Sequence, residues 1–170
     1  FVQGGKQGSH ILNTFVFSNI KKLTRDYVVY HQTSKHSANK DHIISKKYKK
    51  LYKDRYIPFE FLFGTDYTRV LNNTDLVLSR SGAHIVYEMC FLKMPTIFVP
   101  IPWSSQNEQL LNAKVASKYT PSIIINEKNL NYKNFKNSLI ELQKIIPNKY
   151  SNDIKQDSTA LMFSHIKKLL

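Results

Sequence analysis

The chain predicts an α/β fold, a Rossmann-like parallel sheet with helices on both faces. Apolar strand-like runs alternate with helical runs along its length, and the strand runs are unbroken, unlike those of a sheet with one wet face. Glycine supplies the third observation. Gly4-Gly5-Lys6-Gln7-Gly8-Ser9 and Arg80-Ser81-Gly82-Ala83 each stand between an apolar run and a helical one, the order in which a strand turns tightly into a helix.

Phe1-Val2 reads as a strand entered midway, so the chain is expected to continue a longer protein upstream. The first glycine loop leads into the helical run Ile11-Leu12-Asn13-Thr14-Phe15-Val16-Phe17, and Tyr27-Val28-Val29-Tyr30-His31 is β-branched and aromatic, hence a strand. A lysine-rich helix runs up to Lys53, with Ile44, Tyr48, Leu51 and Tyr52 spaced to form its inner face. Residues 57–63 form a strand with Pro58 near its start, and 66–72 a short helix. Asp75-Leu76-Val77-Leu78-Ser79 is a buried strand, after which Ser81-Gly82 caps a helix that passes Glu88 and ends near Lys93. Pro95 opens the strand at 96–99, and Pro100 and Pro102 stiffen a loop in which Trp103 either stacks on a sugar or, the preferred reading, covers the sheet edge. A helix at 107–118, a strand at 122–125 and helices at 132–146 and 152–169 complete the order.

In such a sheet the ligand crevice lies beyond the carboxyl ends of the strands, where Gly5, Gly64, Ser81 and the loop after Pro100 all emerge. A helix starting at Ser81-Gly82 aims free N–H groups and a positive dipole end at that crevice, which makes an anion site. Ser81, Ile85 and Glu88 share a stripe, with Glu88 about 10 Å along the axis from Ser81. That span suits a diphosphate at the tip and a ribose lower down, whose hydroxyls a carboxylate accepts. Gln109 and Asn112, three residues apart, share a helix face.

Gly4-Gly5-x-Gln7-Gly8, Asp75 through Ala83, Glu88, Pro95-x-Ile97-Phe98-Val99-Pro100 and Gln109-x-x-Asn112-Ala113 together resemble the C-terminal half of the bacterial MurG glycosyltransferases, over residues 1–126. The resemblance implies one half of a GT-B enzyme that adds N-acetylglucosamine to lipid I in peptidoglycan synthesis. Residues 1–170 would be the domain that binds the donor UDP-N-acetylglucosamine. An N-terminal half, absent from this chain, would bind the lipid-linked acceptor and supply the catalytic base. Motif for motif, the first loop with Gly5, Lys6 and Gln7 falls at a phosphate-binding turn, and Gly64 backbone falls on the uracil. Arg80, Ser81, Gly82 and Ala83 fall on the diphosphate, Glu88 on the ribose, and Gln109 with Asn112 on the sugar. Arg80 and the helix N-terminus would stabilise the departing diphosphate. The family usually has serine at Lys6 and a small hydroxyl residue at Ile85; Lys6 either meets a phosphate or is solvated. The implied place of action is peripheral, at the cytoplasmic face of the bacterial inner membrane.

A length of 170 residues at 42% hydrophobic content suits one domain. No apolar stretch has the length of a membrane span, and lone Cys90 reads as a core residue. The net charge of +13 gathers at Lys46-Lys47, Lys49-Lys50, Lys53 and Arg55, with smaller clusters at Lys21-Lys22 and Lys167-Lys168. An ordinary amphipathic helix accounts for the main cluster; attraction to an anionic membrane surface is the second reading. No recognised nucleic-acid module is present, so no nucleic-acid partner is expected, and a freestanding donor subunit is the alternative to the excised half. His10, His31 and His84 have no carboxylate nearby in sequence to orient an acid–base pair. No Cys/His cluster or Asp-x-Asp pair marks a metal site, so neither metal nor cofactor is expected.

Overall fold

A computed structural model describes residues 1–5, 7–34 and 39–145. The elements are β1 (Val2–Gln3), α1 (His10–Asp26), β2 (Val29–Gln32), α2 (Asp41–Tyr52), β3 (Tyr56–Phe59), α3 (Gly64–Asn72), β4 (Val77–Ser79), α4 (Ala83–Phe91), β5 (Thr96–Phe98), α5 (Glu108–Ala116), β6 (Ser122–Ile124) and α6 (Tyr132–Ile145). Short 3-10 turns at Lys53–Arg55, Ser105–Asn107 and Glu127–Asn129 join them. All five strand pairings are parallel, in the order β3-β2-β1-β4-β5-β6. The chain therefore winds outward from β1 to β3, then returns to place β4 against the other side of β1. That reversal opens a crevice above the β1–β4 seam, where Val2 pairs with Leu78 and Gln3 with Ser79.

Alternate strand residues feed two cores, as a sheet covered on both faces requires. On one face Val2, Val29, Leu78 and Ile97 meet Leu12, Phe15, Val16, Ile20 and Leu23 of α1 and Phe135 and Leu142 of α6. On the other, Val77 and Phe98 meet Val70 and Leu71 of α3, Val86, Met89 and Cys90 of α4, and Ala113 and Ala116 of α5. The α1 apolar residues recur at helical spacing. Ser9 caps α1 by accepting from Leu12 N at 3.5 Å, and extended Tyr27 ends it, donating its N–H to Leu23 O. Cys90 is buried in the second core, as expected, and burial pushes its thiol pKa up.

The fold departs from the sequence pattern in three places. β3 stops at Phe59 because the chain turns away beyond it; Leu62 N–H donates to the Gln32 side chain at 3.0 Å instead of a ladder partner. In α2, Tyr48 and Tyr52 pack inward, but Ile44 and Leu51 are 38% and 65% exposed. Trp103 is 74% exposed and covers no sheet edge. The expected helix at 152–169, with Lys167-Lys168, lies outside the described residues.

A buried polar chain crosses the first core. Asn13 Nδ2 donates to Asp41 Oδ2 at 2.7 Å and to Thr33 O at 3.1 Å, which leaves its Oδ1 to accept from His31 Nε2 at 3.0 Å. His31 is therefore the Nε2–H tautomer, and its Nδ1 accepts from the Tyr56 hydroxyl at 2.8 Å. Burial pushes the His31 pKa from 6.5 down to about 3, so the fold requires the neutral ring. The unfolded chain takes up that proton near pH 6.5, so stability is complete above this value and falls as pH drops towards 3. Urea unfolding at pH 7 and pH 5 checks this: the wild type should lose about 2 kcal/mol more than His31→Gln over that interval.

Candidate functional site

All five glycines of the chain lie at strand-to-helix corners on the crevice side of the sheet. Gly4, Gly5 and Gly8 form the first corner, between β1 and α1. A Cβ on Gly4 would stand 2.2 Å from Ser9 N, and one on Gly8 (φ +75°) 2.6 Å from Ser34 Cβ, so packing demands glycine at both. Gly5 (φ +77°) has nothing within 4 Å of its missing Cβ, and Gln7 is exposed beside it. Lys6 lies outside the described residues.

The second corner joins β4 to α4. Gly82 is the N-cap, extended at φ −62° and ψ 150°, and no side chain caps the helix. The first-turn N–H groups at Ala83 and His84, both exposed, thus point along the axis towards the crevice. Nothing lies within 4 Å of a Cβ built on Gly82. Ser81 is not the expected cap. Its hydroxyl donates to Gln109 O at 2.8 Å, and its N–H points to Gln109 Oε1 at 3.4 Å. Gln109 Oε1 also accepts from Ile101 N at 3.2 Å, and Asn112 Nδ2 donates to Ser81 O at 3.3 Å. The predicted sugar pair and the predicted diphosphate turn are therefore in direct contact.

Arg80 stands where the two corners meet, and its guanidinium has partners within the fold that the sequence did not reveal. It is 7% exposed, and each guanidinium nitrogen has a partner within the chain. Nε donates to Ser9 Oγ at 3.0 Å, and Nη1 to Val99 O at 3.0 Å. Nη2 lies 2.6 Å from Glu127 Oε2, an ion pair off the line of a hydrogen bond. Arg80 ties the first corner, the second corner, the end of β5 and the turn after β6 into one unit.

Glu88 is half-buried on α4 and accepts from the Tyr67 hydroxyl at 2.7 Å. Gln3 Nε2 in turn donates to that hydroxyl at 3.3 Å, so β1, α3 and α4 jointly aim the carboxylate. Burial, reinforced by the bond to Glu88, pushes the Tyr67 pKa well above the ordinary phenol value. Sequence reading missed Tyr67; the available signal was a hydroxyl one turn into the helix that starts at Gly64. Gly64 itself (φ +57°) opens α3, with space around its missing Cβ and Phe63 76% exposed before it.

The fold also supplies a carboxylate that sequence proximity did not: His10 Nδ1 lies 3.1 Å from both oxygens of buried Asp41, 31 residues away. That pair ties the N-termini of α1 and α2. Among the described residues no three His, Cys, Asp or Glu side chains are grouped to hold a metal ion. A cavity of about 640 Å³ lies at the opposite end of the strands, lined by Phe1, Val28, Asp75, Pro95 and Leu139 among others, and contains none of the candidate residues.

Removing one partner of a buried ion pair leaves the other charged and unpaired. Arg80→Ala should therefore cost about 3–5 kcal/mol in chemical unfolding. A change below about 0.5 kcal/mol, typical of an unpaired surface position, would refute the tie.

Residues 1–169 match the model of the glycosyltransferase family 28 C-terminal domain. Relatives named UDP-N-acetylglucosamine–N-acetylmuramyl-(pentapeptide) pyrophosphoryl-undecaprenol N-acetylglucosamine transferase include that of Pelagibacter ubique, 31% identical over 90% of this chain and 41% of the relative. That of Campylobacter jejuni is 30% identical over 82% of this chain and 39% of the relative. The chain thus spans about two-fifths of the relatives' length. The crystal structure of Acinetobacter baumannii MurG shares the fold, with a TM-score of 0.62 and 21% identity over 84% of this chain and 41% of that one. With a family model covering nearly its whole length, the chain belongs to glycosyltransferase family 28, as the C-terminal domain of that family.

Proposed function

We propose that this domain binds UDP-N-acetylglucosamine for a transferase that passes the sugar to lipid I, giving lipid II in peptidoglycan synthesis. The acceptor and the base would belong to another half, and the whole enzyme would work peripherally at the cytoplasmic face of the bacterial inner membrane. Among the described residues no helix is long and apolar enough to cross a membrane.

The observation that carries this reading is the meeting of the two glycine corners at the β1–β4 seam, tied by the Arg80–Ser9 bond. Backbone N–H groups from both corners would then serve one pyrophosphate above the sheet. Glu88, lower on α4 and held by Tyr67, would accept from ribose hydroxyls. Gln109 and Asn112 border the Ser81 turn on the side where the sugar would extend. In the transfer, the acceptor hydroxyl would give its proton to the base of the other half and attack the anomeric carbon with inversion, while the uridine diphosphate leaves with its bonding electrons. Corner amides that are already fixed stabilise the growing negative charge without reorganising. Arg80 contributes through them, by holding both corners still. The relatives are more than twice this chain's length, and neither a freestanding subunit nor a nucleic-acid role draws support from them.

Calorimetric titration with UDP-N-acetylglucosamine, UDP-glucose and UDP tests the reading. The N-acetylglucosamine donor should bind best, and Glu88→Gln should weaken it roughly tenfold or more, since hydrogen bonds to a charged acceptor contribute about 1.5–3 kcal/mol each. Donor affinity untouched by Glu88→Gln would overturn the ribose assignment.

A further inference from the structure

The rotation of α2 about its axis is set by a polar pin, and this leaves aliphatic side chains in water. Asp41, the first residue of α2, is fully buried against Asn13 and His10, and Ser45, one turn later, is buried on the same side. With those two turned inward, residues 43, 47 and 51 fall on successive turns of the opposite face. Ile43 is 55% exposed, Leu51 65%, and Ile44 beside them 38%. Full burial of such a side chain is worth about 1.5–3 kcal/mol, and the fold forgoes part of that at each.

Lys47, Lys50 and Lys53 are exposed around these three residues, and Lys46, also exposed, pairs with Glu60 at 2.8 Å. The outer side of α2 thus carries three aliphatic side chains interspersed with Lys47 and Lys50, with Lys53 just past its C-terminal end. The chain's net charge of +13 adds a long-range field of the same sign. Single-stranded nucleic acid is met by aromatic stacking platforms beside lysine, and on α2 the aromatic residues Tyr48 and Tyr52 are packed inward. Aliphatic side chains among lysines match a bilayer interface instead, where methyl groups enter the acyl boundary and ammonium groups meet lipid phosphates.

We propose that the outer face of α2 docks on an anionic lipid surface, with Ile43, Ile44 and Leu51 inserted and Lys47, Lys50 and Lys53 at the headgroups. The proposal rests on exposure and charge alone, and it stands or falls independently of the donor site.

Sedimentation with phosphatidylcholine vesicles carrying rising phosphatidylglycerol tests it. Binding should increase with the anionic lipid and weaken with salt. Ile43→Ser with Leu51→Ser, which leaves charge unchanged, should weaken binding about tenfold or more, and Lys47→Gln with Lys50→Gln by a similar factor. Because the four positions are exposed, the thermal midpoint should stay unchanged. A polarity-sensitive dye on Leu51→Cys, with Cys90 protected by burial, should shift to the blue on vesicles, whereas one on Lys118→Cys should not. Binding indifferent to the two serines, or an unshifted dye at position 51, would overturn the proposal. So would an oligonucleotide bound with the same residue dependence, or burial of the dye by self-association without lipid.

Discussion

The candidate site depends on one buried guanidinium. Two strand-to-helix corners can converge on a pyrophosphate only if their relative position is fixed, and backbone pairing between β1 and β4 ends at Gln3 and Ser79, just short of both. Arg80 completes the registration from the next residue. Its planar fork donates to a side chain at the first corner and to a carbonyl at the end of β5, and it pairs with Glu127 beyond β6. A lysine could reach one of these partners at a time. The side chains of the ion pair are only 9% and 12% exposed, so the tie is weakly screened and costly to break.

Around that tie, polar side chains hold one another. Tyr67 bridges Gln3 and Glu88, and Gln109 bridges Ser81 and Ile101. The segment leading to Gln109 carries two consecutive residues in the left-handed region, Gln106 at φ +49° and Asn107 at φ +56°. Non-glycine residues persist there only where the surroundings impose it, and such strain gathers at ligand sites. The structure thus keeps left-handed backbone just before Gln109 and a helix end without a side-chain cap at Gly82.

Much of this frame was legible from the amino-acid order. Unbroken apolar runs such as Val77-Leu78-Ser79 and Thr96-Ile97-Phe98 gave the strands, and glycine placement gave the corners. The i, i+3 spacing of Gln109 and Asn112 put both on the face that meets Ser81. What stayed hidden was the pairing of groups far apart in sequence. The pairing of Arg80 with Glu127, 47 residues on, leaves no mark in the local sequence. Ser81 has a capping residue's chemistry, but the Gln109 carbonyl takes its hydroxyl. His10 gains a carboxylate only because α2 begins beside α1. Helical periodicity predicted an inner face with Ile44 and Leu51, and the Asp41 pin rotated them outward: one buried ionic hydrogen-bond cluster overrode two aliphatic side chains.

In the proposed site both corners bind one diphosphate together. Backbone amide NMR during a titration with UDP-N-acetylglucosamine tests it most directly, because the glycine amides report each corner separately. Gly5 and Gly8 from the first corner and Gly82 with Ala83 from the second should shift along a single saturation curve with one dissociation constant. Shifts confined to one corner, or two curves with different constants, would contradict it.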